Sequence, residues 1–277
     1  MIMTTNNQEE LKNEQWKILW TRHIKKGEFM KEKRNKSKML KALAFFLLLG
    51  IAILFSLIGS TVVNDYGEYK EVEDTQQEII DDVVTENEEI PFTVDWNKLK
   101  SINNDIVAWI RIPDTNISYP VVQGSSNNQY LRKNIYGNYS RGGVPFVDAN
   151  ILQPFECPNT IIYGHNLANG AMFSQLKNYS KNEFAEEHNI VYVYLPTGEI
   201  REYKVLAFHI VQATDKNIYD PYVENLEEYK GYMMQNNKIT NNDTEIQMSD
   251  EVITLSTCTN KGESRYVLHF IYHKNDN

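Results

Sequence analysis

The chain has 277 residues, enough for one large domain or two small ones. A hydrophobic content of 42% supports a buried core, and 17 tyrosines favour β-rich structure over a helical bundle. The formal charge of −9 speaks against a nucleic-acid partner, which would call for a basic surface.

The N-terminal 41 residues are polar and charged. Ala42 to Val63, "ALAFFLLLGIAILFSLIGSTVV", then runs 22 residues without a charge, enough to span a bilayer core of about 20 residues. The run is longer than the apolar part of a cleaved signal peptide and lacks an Ala-x-Ala end, so it reads as an uncleaved membrane anchor. Lys31, Lys33, Arg34, Lys36, Lys38 and Lys41 precede it, and Asp65, Glu68 and Glu71 follow. By the positive-inside rule, residues 1–41 are a cytoplasmic tail, 42–63 the anchor, and all that follows is extracellular. Residues 1–63 hold 11 basic against 5 acidic side chains; the remainder holds 17 against 32. Met1 and Met30 both stand as translation starts, and Met30 would give a short-tailed anchor.

Residues 64–91 read as an acidic extracellular spacer, partly helical and solvated: Asp65 to Glu89 carries 11 acidic residues against Lys70. The folded domain is expected over 92–277. "DWNKLKSIN" offers Asp95 as a helix cap with Trp96, Leu99 and Ile102 at spacing three. Strands then dominate: "DIVAWIRIP" and "ISYPVVQG" across the turn "PDTN", then "GGVPFVD", "NTIIYG", and "IVYVYL" with "IREYKVLAFHIVQ" across "PTGE". "EVITLSTC" and "SRYVLHFIYH" complete about eight. A short helix is expected at "MFSQLKNY". A longer one is expected in "PYVENLEEYKGYMMQNNK", where Tyr222, Leu226, Tyr229 and Met233 share a face and Pro221 suits the first turn. Many short strands with few helices predict a mainly β, barrel-type domain with helical insertions.

Thiol chemistry needs a nucleophile, a proton carrier and a group to steady an oxyanion. Cys258 closes an apolar strand, and its residue type alone allows a nucleophile, half of a disulfide with Cys157, or a small packing residue. Outside the membrane, two cysteines give a disulfide some weight. His23 is cytoplasmic; His188, His209, His269 and His273 lie in or beside strands, where a histidine is more often packed. His165 differs, because "YGHN" follows the apolar strand directly and a loop would lift it out of the sheet. No Cys/His spacing suggests a metal.

"TLSTC" followed by an arginine on the next strand, with "IIYGHN" upstream, resembles the sortase family. "NNDIVAWIRIPDTNISYPVVQG" is similar to the start of that family's catalytic domain, and the long helix before the penultimate strand resembles its class B branch. The resemblance runs from Asp95 to about Tyr272. It implies a closed β-barrel of about eight strands with an N-terminal helix, Cys258 as nucleophile, His165 as acid and base, and Arg265 as the oxyanion arginine. Tyr163, Asn166, Ser256 and Thr257 are groove residues on this reading, with packing or capping as the plainer alternative. The family's strand layout also sets Cys157 at the far end of its strand, away from Cys258, which removes the disulfide.

The implied reaction is transpeptidation without cofactor or metal: cleavage after threonine in a C-terminal sorting signal of a secreted protein, then transfer to an amine of the cell-wall peptidoglycan. Two other cysteine enzymes fit less well. A papain-like peptidase places cysteine before histidine, and an L,D-transpeptidase carries Ser-x-Gly-Cys. A membrane-tethered β-domain that only binds wall or surface-protein partners is the alternative from another class.

Overall fold

The computed structural model describes residues 5–86, 92–235, 237–239, 250–259 and 262–274. The chain divides into two units, Met1–Asn64 and Asp65–Asn277. The first is helical from Thr5, within a helix α1 that runs to Val83. It contains the one helical stretch among the described residues that is long and apolar enough to cross a membrane. Its apolar side chains, among them Phe45, Leu47, Phe55 and Val63, are exposed.

The second unit is built on a closed barrel of eight strands: β1 (Ile106–Arg111), β2 (Ser118–Val122), β3 (Phe146–Val147), β4 (Asn159–Tyr163), β5 (Ile190–Tyr194), β6 (Ile200–Gln212), β7 (Glu251–Cys258) and β8 (Ser264–Tyr272). Around the barrel the order is β8-β6-β5-β1-β2-β3-β4-β7, closed by the antiparallel β7–β8 pair. Two neighbouring pairs are parallel, β2 with β3 and β4 with β7. Closure leaves no free sheet edge, so side chains alternate between the barrel interior and an outer layer. On β1, Ala108 and Ile110 join the interior with Val121, Ile161, Phe208, Leu255 and Phe270. Trp109 points the other way, into a cluster with Leu99 and Phe92. That outer layer is held by α2 (Trp96–Ile102), whose cap Asp95 accepts a hydrogen bond from the Lys98 amide at 3.0 Å.

The eight-strand barrel, the helix at Trp96 and the helix inserted before β7 agree with the sequence reading, and three details differ. The inserted helix, α4 (Leu226–Gln235), starts at Leu226 rather than at Pro221. The Asp220 carboxylate instead accepts the Tyr222 amide, which holds this stretch as a turn. "MFSQLKNY" forms a 3₁₀ helix, Ser174–Ser180, ahead of a short α3 (Asn182–Glu187). The "GGVPFVD" strand shrinks to two residues.

The larger correction concerns the acidic segment after Asn64. It is helical to Val83, and Val72, Ile79 and Val83 are 3%, 1% and 3% exposed, packed on the barrel. The three lie at i, i+7 and i+11, one helical stripe. Polar contacts complete the docking. Arg141 pairs with Asp65 and with Glu68, and Gln76 donates to the carbonyls of Asn116 and Ser118. The compact unit therefore begins at Asp65, not near Phe92. Few apolar residues suffice here because all three fall on one face, Asp65 and Glu68 on that side are paired with Arg141, and most other charges point away.

Candidate active site

Strand β7 is buried at every residue from Glu251 to Thr257 and emerges only at its last, the exposed Cys258. Its apolar residues serve both faces of the sheet until the strand leaves the barrel, so the thiol stands at the rim. The chain turns back through a loop whose Gly262 has φ 71°, a conformation that favours glycine. Residues 260 and 261 of that loop lie outside the described residues. The Thr259 amide donates to the Ser264 carbonyl at 3.0 Å. The return places Arg265 as the register partner of Cys258. The Arg265 guanidinium donates through Nη1 to the carbonyls of Gly262 and Ser264, 3.0 Å each, so its own loop aims it.

The third residue arrives on β4. This strand runs parallel to β7 with Tyr163 opposite Ser256, and the ladder continues as the Gly164 amide donates to the Ser256 carbonyl at 3.1 Å. His165 thus follows Tyr163 by the same two residues by which Cys258 follows Ser256. Gly164 has to be glycine, because a Cβ there would sit 2.6 Å from the Phe173 ring. The imidazole Nε2 of His165 lies 2.8 Å from the Leu131 carbonyl. Burial is the main cause that holds the His165 pKa below its ordinary value; the bond to Leu131 opposes this and nearby Arg132 adds to it.

Cys258, His165 and Arg265 all line one groove of about 820 Å³. Of the further residues expected there, Tyr163, Ser256 and Thr257 also line it, whereas Asn166 does not. Asn166 instead donates its side-chain amide to the Cys258 main-chain carbonyl at 2.8 Å. Ser256 is buried and its hydroxyl pairs with Tyr219 Oη at 2.9 Å, the plainer role of packing. The buried Thr257 hydroxyl finds no partner among the described residues. Tyr163 donates to Asp148 at 3.0 Å and packs, with tilted rings, between Phe146 and Tyr219, an aromatic floor beneath the rim. Burial and the Asp148 carboxylate push the Tyr163 phenol well up.

Several contributors escaped the sequence reading. The Leu131 carbonyl is a backbone group and carries no residue signature. The opposite wall comes from the segment after β6, including Asp215, Lys216 and Tyr219, where nothing in composition marks a site. Cys157 is buried, free, and 3.4 Å from the Thr160 hydroxyl. It precedes Asn159, which pairs with Val252 at the opposite end of β7 from Cys258. Among the described residues, no group of three or more His, Cys, Asp or Glu is placed to hold a metal ion.

The chemistry open to this groove is that of a thiol with an imidazole and a permanent guanidinium around it. Comparison with known proteins gives the family. Residues 110–270, more than half of the chain, match the family model described as the sortase domain. Sortase B of Staphylococcus aureus is 30% identical over 220 residues, covering 76% of this chain and 86% of that one. The crystal structure of sortase B from B. anthracis in complex with AAEK1 superposes with a TM-score of 0.65 at 26% identity, covering 76% of this chain and 100% of that one. A Staphylococcus aureus sortase B–substrate complex gives 0.60 at 28% identity, covering 65% and 85%. On this likeness of sequence and barrel, the chain belongs to the sortase family of cysteine transpeptidases, in its class B branch.

Proposed function

We propose that the protein is a membrane-anchored transpeptidase that cuts a C-terminal sorting signal after threonine and joins the released carboxyl end to an amine of cell-wall peptidoglycan. The observation that carries this reading is the convergence of Cys258, Arg265 and His165 on one groove at the barrel rim. A solved relative in complex with its substrate is similar over most of its length, which supports a peptide occupant for the groove here.

The Cys258 thiol passes its proton to His165 as its sulfur attacks the threonine carbonyl and forms the C–S bond. The developing oxyanion is met by Arg265, whose guanidinium presents a fork of donors. The C–N bond then breaks, and His165 gives a proton to the departing amine. In the second half, His165 takes a proton from the incoming amine as its nitrogen attacks the thioester. The C–S bond breaks and the thiol is restored. Both halves use one imidazole in opposite directions, so a pKa held below its ordinary value, as burial provides, suits the base step.

The apolar run 42–63 serves as the anchor, with basic residues 31–41 on the cytoplasmic side and the catalytic unit outside. There it would meet both a secreted substrate and a wall precursor.

The test incubates the full chain in detergent with a panel of sorting-signal peptides and an amine acceptor, with products read by mass. Cleavage after threonine with capture of the amine is expected. Cys258→Ala should abolish it, and His165→Ala and Arg265→Ala should reduce it strongly. Unchanged turnover in Cys258→Ala would reject the mechanism.

A further inference from the structure

His165 is held by a backbone atom. A carbonyl oxygen only accepts hydrogen bonds, so the 2.8 Å contact between His165 Nε2 and the Leu131 carbonyl requires the proton on Nε2. The other ring nitrogen, Nδ1, has no hydrogen-bond partner among the described residues, and the ring lines the groove. Which nitrogen of an imidazole carries its proton is set by the bond the other makes.

The carbonyl is itself firmly placed. The flanking Tyr130 is buried; its hydroxyl donates to Asp105 at 2.7 Å, and its carbonyl accepts the Val144 amide at 3.4 Å. On the other side, the Arg132 carbonyl accepts the Ser140 amide at 3.1 Å. The Leu131 carbonyl lies between these two pinned neighbours. Gly143 closes over the same stretch with φ 59°, and a Cβ there would stand 2.5 Å from the Tyr130 oxygen and 2.9 Å from the Leu131 oxygen. Nothing larger than hydrogen fits without displacing the carbonyls.

We propose that the Leu131 main-chain carbonyl orients the histidine, fixing His165 in the Nε2–H tautomer so that Nδ1 is the atom that trades protons with the substrate amines, and that Gly143 is the positioning residue that keeps this carbonyl in place. The arrangement does for the ring what a carboxylate does in other acid–base pairs, but with a dipole in place of a charge. A neutral orienter favours the imidazolium less than a carboxylate would. Between turnovers the ring therefore stands ready as a base, and Nε2 never leaves its acceptor.

This inference rests on the proposed role of His165, and the experiment separates the two. The full chain in detergent micelles, labelled with ¹⁵N-histidine, gives the tautomer directly by NMR, with His165→Asn identifying its signals by difference. A protonated Nε2 and a bare Nδ1 are expected above the ring's pKa; an Nδ1–H form or averaging between the two would overturn the proposal. Replacing the amide between Leu131 and Arg132 with an ester weakens the carbonyl as an acceptor. The Arg132 amide it removes donates to no backbone carbonyl among the described residues. Loss of the single tautomer and a fall in kcat of about 10²-fold, the cost of a misplaced catalytic group, are expected with KM little changed. Gly143→Asn keeps a residue that tolerates positive φ and adds the crowding Cβ with a short amide beyond it, so it should act in the same direction. An ester or Gly143 variant that is folded, with native tautomer and rate, overturns the part assigned to that group. If His165→Ala were fully active while the tautomer is as stated, the catalytic reading would fail and the orientation would stand. An inactive His165→Ala with the wrong tautomer would sink this inference alone.

Discussion

Asn166 donates its side-chain amide to the main-chain carbonyl of Cys258 across 2.8 Å, tying the loop that carries His165 to the last residue of β7. The parallel ladder sets the register of the two strands, and this bond adds a tie beyond its end. Removing it in Asn166→Ala should lower stability by about 1 kcal/mol, the net worth of such a bond. It should also lower kcat several-fold with little change in KM. Asn166→Asp should be worse, because a carboxylate would face the carbonyl it replaces a donor to. Thermal unfolding and steady-state rates check both, and an Asp variant equal to wild type would remove the bond from the argument.

The two thiols differ in environment. Cys258 is exposed at the rim, whereas Cys157 is buried and burial pushes its thiol pKa up. A mild alkylating reagent applied to the folded chain should label Cys258 and spare Cys157, with complete loss of turnover at one equivalent incorporated. Equal, slow labelling of both would favour a binding module over an enzyme.

The helix ahead of the barrel buries Val72, Ile79 and Val83, and each such side chain contributes about 1.5–3 kcal/mol. A fragment of residues 92–277 should therefore unfold at a markedly lower temperature than one of residues 65–277. It should also lose turnover, since Val72 packs within 2.9 Å of where a Gly142 Cβ would stand, next to Gly143. Equal melting temperatures would show that the helix is dispensable.

Acid should weaken the barrel through two buried imidazoles. The Thr254 hydroxyl donates to Asn159 at 2.6 Å, so at 2.8 Å it accepts from His269 Nδ1, and His269 Nε2 has no partner among the described residues. His209 meets that ring edge-on at 5.2 Å, and its own Nε2 has no partner among the described residues. Burial lowers the His209 pKa to about 4, with Lys238 assisting and Asp215 opposing. Burial holds His269 well below its ordinary value, with His209 adding to the effect. Both are neutral when folded, so below about pH 6.5 the unfolded chain binds more protons and stability falls with pH. The loss from His209 between pH 6.5 and 4 is about 3 kcal/mol. His209→Phe should flatten the stability profile over that window; an unchanged slope in denaturant titrations would refute the assignment.

What the residues alone decided is the part of the fold built from local pattern. β6, β7 and β8 lie where their apolar runs between turn residues put them, and Asp95 caps the helix whose spacing announced it. The motif "TLSTC", the arginine on the next strand and the histidine after "IIYG" carried the family resemblance, and with it the three candidate site residues, because a short motif is legible without the fold. Tertiary structure decided what depends on pairs of distant groups. The helix at Val72, Ile79 and Val83 looked solvated because charge dominates its composition, and only a waiting apolar face on the barrel turns three residues into a docking stripe. Asn166 changed from groove wall to brace for the same reason. The Leu131 carbonyl could not be read at all, since every residue has one. Its contact with His165 joins positions 34 residues apart, and Gly143, with no Cβ, leaves room over that carbonyl.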